Sequence, residues 1–215
     1  MKIPNILSVI SNHAFLFLIV IGTYLLFVFI GLLLHKKLPN VLTTFMNISD
    51  AQKTKQVEKM FSQYREPVKN GDWRAISKCA MIVFGLNTLG MIQNTVLSAL
   101  LIPLILQMGF VGINQGVAFS ETKGSSLTSL LAYYFVGGLE WISYPLANFA
   151  GILFTTSIIS SLINHQELAI MTRITEVAAI LMPVIVILFF QAILELLYVR
   201  KVLCVGGTAI PLKPY

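Results

Sequence analysis

Charge is what this sequence has least of. Asp, Glu, Lys and Arg make up 11% of its 215 residues, against roughly 25% in a soluble domain. A chain that is 56% hydrophobic, with a mean hydropathy of +0.82, has too little polar surface to clothe a water-soluble globule. Cysteine is nearly absent: Cys79 and Cys204 stand apart with no CxxC, which removes a zinc ribbon or a dithiol redox pair. His13, His35 and His165 lie at the edges of apolar runs with no carboxylate at ligand spacing, so no metal and no cofactor is expected. Missing as well are HExxH, GxSxG, a GxxxxGK[ST] phosphate loop and any lysine within an apolar run. Those absences argue against zinc-protease, serine-hydrolase, nucleotide-driven and Ser–Lys chemistry. The chain is expected not to be an enzyme.

What is present is a series of apolar runs, several reaching the ~20 residues that cross a bilayer. The fold class they predict is an all-α integral membrane protein, one membrane domain over 1–215, multi-pass in the cell membrane. Ala14–Leu34 reads as a retained first span: it is longer than a signal-peptide core, and His35, Lys36 and Lys37 follow it with no small-x-small cleavage site. The block Cys79–Phe119 is too long for one span and carries Pro103 near its middle, which predicts spans near 79–101 and 104–120. Leu127–Ile163 also holds enough residues for two, and Val177–Val199 for one. The sum is five to six transmembrane helices, some as broken or kinked hairpins, with 79–199 as the helical core and 200–215 as an irregular tail.

The polar segment 35–78 has its own pattern. Ser49 followed by Gln52 is a capping-box start, and Val57, Met60, Phe61 and Tyr64 fall on one helical face. Pro67 and Asn70-Gly71 should end that amphipathic helix, over about 49–66. Its apolar face suits the membrane surface, a partner protein, or the chain's own bundle.

The net charge of +6 does not point to nucleic acid, because no basic–aromatic interleaving or RNA-binding signature accompanies it. It fits loops that face anionic lipid or the cytoplasm. Nine of the fifteen Lys and Arg lie in 35–78, which places that loop in the cytoplasm. With six spans, however, Arg200 and Lys201 would then face outward, and the two readings conflict.

One apolar stretch, "FVGGLEWISYPLANFAG", holds an acid, Glu140. A charge at the centre of a spanning helix costs about 2.5–3.5 kcal/mol on insertion scales. That cost falls if the acid is protonated, faces other helices, or sits at a break in the helix. On a helix, Glu140, Ser143, Tyr144, Ala147, Asn148 and Gly151 share a face, and Ser143, Ala147 and Gly151 form a small-xxx-small stripe. Gly137-Gly138 and Pro145 predict a break or kink on either side of the acid. Asn87, Gln93, Asn94, Asn114 and Gln115 are candidate amide partners. Glu195 is a second acid among apolar residues, with Gln191 one turn earlier on its face. Gly109 and the Gly112–Gly116 GxxxG are candidate packing positions.

The order of these features resembles the stage II sporulation protein M family, over nearly the whole chain. The resemblance rests on "GLNTLG" at Gly85–Gly90, which carries Asn87; "LLIPLILQMGFVGINQG" with Pro103, Gly109 and Gly112; "VGGLEWISYPLANFAG" around Glu140; and "AILELLYV" with Glu195. The family's histidine four residues before the Glu is Val136 here, so a role needing that imidazole does not transfer. The resemblance implies a non-enzymatic scaffold. In spore formers such a protein recruits and holds peptidoglycan-degrading enzymes, and relatives accompany transport or bacteriocin-immunity systems. It also implies that the polar loop lies outside, against the charge rule. Expected partners are membrane lipid, membrane or wall-associated proteins including an ABC transporter, and a second copy of the chain. A transporter subunit using Glu140 is the alternative, because acids and broken helices at membrane depth also serve carriers.

Overall fold

The computed structural model describes residues 4–37, 62–100, 112–113, 127–165 and 169–205. Among them the fold is all-α and membrane-like, without strands. The helices are α1 (Ile6–Asn12), α2 (Ala14–Lys37), α3 (Arg65–Lys69), α4 (Trp73–Ala99), α5 (Leu127–Ile163) and α6 (Ile170–Val205). Four of these described helices are long and apolar enough to span a membrane, over Ala14–Leu34, Trp73–Ala99, Gly137–Ile163 and Ile170–Leu197.

Local chemistry explains the helix ends. Asn5 Oδ1 accepts from the Leu7 N–H at 3.0 Å and starts α1, a helix the sequence reading above does not include. Gly71, at φ 80°, makes the left-handed turn that Asn70-Gly71 foretells. Pro67 does not end a helix; it lies in the first turn of α3, where its missing N–H has no intrahelical acceptor. Asp72 caps α4 by accepting from the Arg74 N–H at 2.8 Å, so α4 begins at Trp73, inside the segment read as polar loop. Losing such a cap costs about 1 kcal/mol. Asp72→Ala should therefore lower the unfolding free energy by about that amount, read by denaturant titration of helicity in bicelles.

The largest correction concerns the block expected to form a hairpin. Leu127–Ile163 is one continuous helix of 37 residues, with Pro145 inside it. A glycine costs about 1 kcal/mol in a helix interior, whereas each backbone group left unpaired in hydrocarbon costs several. The unbroken ladder therefore wins over a break at Gly137-Gly138. At Gly137 a Cβ would lie 3.4 Å from the Trp141 ring one turn on, an ordinary contact. α6 likewise continues through Pro183 to Val205, past the expected start of the tail at 200. The amphipathic stretch near 49–66 lies almost wholly outside the described residues; of its apolar face only Tyr64 is described, half-buried against Val68, Ala75, Ile76 and Cys79. The second span expected at 104–120 lies outside them too, apart from Gly112 and Ile113.

Directions follow from side-chain contacts. Ser98 meets Asn148 and Thr155 meets Ala99, so α4 and α5 run parallel. Asn87 meets Gln191 and Ile76 shares a cluster with Leu196, so α6 is antiparallel to α4. Phe17 packs edge-on against Phe149, with centroids 5.3 Å apart, and Tyr24 lies within electrostatic range of Glu140, which makes α2 antiparallel to α5. Helix α5 is central: every residue from Pro145 to Leu153 is buried. The main core gathers Val20, Tyr24, Met91, Phe149, Leu153, Ile180 and Leu188 around it, while Leu18, Phe29, Leu89 and Phe190 remain exposed on the outer faces.

Candidate functional site

The buried polar side chains of the long apolar helices converge on the inner faces of α4, α5 and α6. Glu140 is 1% exposed, although no break surrounds it. Its Oε1 accepts from the Tyr144 hydroxyl at 2.8 Å, one turn along the same helix. Tyr144 lies over Gly90 of α4, where an added Cβ would come within 3.6 Å of the phenol oxygen. Tyr144 and Gly90 are thus in ordinary van der Waals range, with room for a methyl group at position 90. Tyr24 of α2 lies within electrostatic range of Glu140, and its buried hydroxyl has no hydrogen-bond partner among the described residues.

A second group joins α4 to α6. Asn87 Nδ2 donates to Gln191 Oε1 at 2.8 Å, and Gln191 Nε2 donates to Glu195 Oε2 at 2.8 Å. Gln191 is fully buried, with both ends of its amide engaged. Asn87 and Glu195, both singled out in the sequence, are therefore brought together, while Asn87 does not serve Glu140 in the described bonds. The partner that sequence reasoning missed for Glu140 is Tyr144. Its i+4 position on the same face was visible in the sequence.

A third group joins α4 to α5. Ser98 Oγ donates to Asn148 Oδ1 at 2.7 Å, with both residues buried, and Thr155 Oγ1 donates to the Ala99 carbonyl at 2.6 Å. Ser143, Ala147 and Gly151 are all buried. At Gly151 an added Cβ would run into the Thr95 carbonyl oxygen and lie 2.8 Å from Ser98 Cβ, so this glycine sets the helix separation. Gly112 is pressed against α2, 2.7 Å from Phe27 Cβ for an added Cβ, and Gly31 of α2 faces the Ile113 backbone just as closely. Gly109, Gly116, Asn114, Gln115, Val57, Met60 and Phe61 lie outside the described residues. Gln93 is exposed and Asn94 buried. Buried hydrogen bonds within membranes contribute about 0.6–2 kcal/mol each. Ser98→Ala should lower stability by about 1 kcal/mol, measured by unfolding in mixed micelles, and Asn148→Leu in the same background should recover part of it by removing the orphaned amide.

A fourth cluster lies at the other end. Arg173 Nη1 donates to Glu176 Oε2 at 2.6 Å, and His13 Nε2 lies 3.6 Å from Glu176 Oε1. It ties the α1–α2 corner to α6. Among the described residues no group of three His, Cys, Asp or Glu is placed to hold a metal ion. The class defined by fold and site is thus a helical, membrane-like bundle in which Asn87–Gln191, Ser98–Asn148 and Thr155–Ala99 bond across helices. No family model matches the chain, and neither a curated protein nor a solved structure matches it.

Proposed function

We propose that this protein is a non-catalytic membrane scaffold or accessory subunit that holds partner proteins in the bilayer. The observation that carries this reading is the set of hydrogen bonds that join polar side chains across helices: Asn87 with Gln191, which also holds Glu195, and Ser98 with Asn148. Groups paired this way fix one arrangement of helices, which a scaffold needs. The resemblance to the stage II sporulation protein M family implies the same role, with cell-wall hydrolases or a transport complex as the client. Isolation of the tagged chain from native membranes after mild cross-linking tests it. A membrane or wall-associated protein in fixed ratio to the chain is the expected result; the chain recovered alone at normal abundance contradicts it.

The alternative is a transporter subunit, favoured by two carboxylates within helices of spanning length, Glu140 buried and Glu195 half-buried near the end of its span. Liposomes holding only this chain separate the two readings. The scaffold reading expects no proton-coupled flux, and flux lost in Glu140→Gln would favour the transporter.

A further inference from the structure

The helix directions assign an end of the bundle to every charged position among the described residues outside the polar seam. The last turn of α2, all of α3, the start of α4 and the last turns of α6 lie at one end, because α2 and α6 run against α5 while α4 runs with it. Val68 of α3 and Leu196 of α6 share one apolar cluster with Ala75 and Ile76 of α4, which closes that end. It carries eight basic positions, Lys36, Lys37, Arg65, Lys69, Arg74, Lys78, Arg200 and Lys201, against two acids, Glu66 and Asp72. The opposite end has Arg173 balanced by Glu176 in an ion pair. Lys36, Lys37, Arg74 and Lys78 are exposed, and none of the four forms an ion pair among the described residues. Trp73, beside Arg74, is 64% exposed, in the position of an interfacial anchor.

We propose that this basic end faces the cytoplasm and is seated on the anionic phospholipid headgroups of that leaflet, with Trp73 at the level of the glycerol and Arg74 and Lys78 against the phosphates. Lys and Arg near span ends set orientation, and the negative surface potential of the cytoplasmic leaflet attracts such clusters. The conflict between the 35–78 loop and Arg200-Lys201 disappears, because a single-helix α5 brings both to one end. The assignment also bears on the client. A cytoplasmic 35–78 loop reaches soluble or membrane partners on that side, and wall enzymes would have to be met at the other end, around His165 and α1. It does not depend on the scaffold reading and holds equally for a transporter subunit.

Two measurements on the full chain test it. In a Cys79→Ala, Cys204→Ser background, single cysteines are placed at the exposed Asn70 and Asn164, one per end, and labelled with a membrane-impermeant maleimide. In intact cells Asn164→Cys should label and Asn70→Cys should not, with the pattern reversed in inverted vesicles; the opposite pattern overturns the orientation. For the lipid, Trp141→Phe leaves Trp73 as the single indole, since the chain has two tryptophans. Brominated phosphatidylglycerol should quench it at least twofold more than brominated phosphatidylcholine at equal mole fraction. Lys36→Gln, Lys37→Gln, Arg74→Gln and Lys78→Gln together should abolish the preference. Equal quenching by both lipids in the parent chain overturns the headgroup assignment, whether or not the quadruple variant folds.

Discussion

Gly151→Val is expected to prevent the bundle from forming. A Cβ at this position runs into the Thr95 carbonyl oxygen and approaches the Ala99 amide at 3.0 Å, and both are backbone atoms of a helix that cannot sidestep locally. Overpacking a core costs about 1–3 kcal/mol even where side chains can adjust. Here α4 would have to move away from α5, loosening the Ser98–Asn148 and Thr155–Ala99 hydrogen bonds together. Against a total stability of about 5–15 kcal/mol, Gly151→Ala should cost about 3 kcal/mol and valine more. Gly85, where an added Cβ meets nothing within 4 Å, is the control. Gly85→Ala should be neutral, or stabilising by up to about 1 kcal/mol. Thermal unfolding in bicelles, followed by circular dichroism, gives both numbers; a Gly151→Val protein as stable as its parent would remove the close crossing.

Position 140 should separate size from charge. Glu140→Gln keeps the shape and an oxygen that can accept from the Tyr144 hydroxyl, so folding is expected to change by no more than about 1 kcal/mol, the net worth of one hydrogen bond. Glu140→Lys removes that acceptor and places a cation where insertion alone costs about 2.5–3.5 kcal/mol, within a space closed by α2, α4 and α5. The lysine variant should be degraded in cells and aggregate on extraction, while the glutamine variant accumulates and extracts as the parent does. A tolerated lysine would mean that the side chain reaches lipid headgroups or water. A glutamine variant that fails to fold would mean that the carboxyl group itself is needed.

How legible this was from residues alone varies with the range of the interaction. Ala14–Leu34 could be read directly, because an uncharged apolar run in lipid has few alternatives to helix. Asn70-Gly71 announced its turn because the backbone requirement is local. The face shared by Ser143, Ala147, Asn148 and Gly151 followed from helical spacing, and all four are buried in the structure. Gly137-Gly138 and Pro145 misled because their breaking power is a balance struck in water, and hydrocarbon penalises the broken ladder more than the strained helix. The pairings were not legible: Asn87 and Gln191 are 104 residues apart and Ser98 and Asn148 are 50 apart. Several amides in the sequence were equally eligible for Glu140, and the described hydrogen bond comes instead from Tyr144, one turn along the same helix. The charge conflict shows how one misjudged helix propagates, since splitting α5 in two sends Arg200 and Lys201 to the wrong end.

The continuity of α5 is what sets Glu140 inside the bundle, aligns the small-residue face with α4 and fixes both ends. It is tested most directly by a distance. Spin labels at Phe135 and Leu162, both exposed, in the Cys79→Ala, Cys204→Ser background, report the length of the segment in lipid nanodiscs by double electron–electron resonance. One unbroken helix, rising 1.5 Å per residue, places them about 40 Å apart. A hairpin turning at the acid would leave arms of unequal length and bring them to about 27 Å, and that shorter distance would contradict the account.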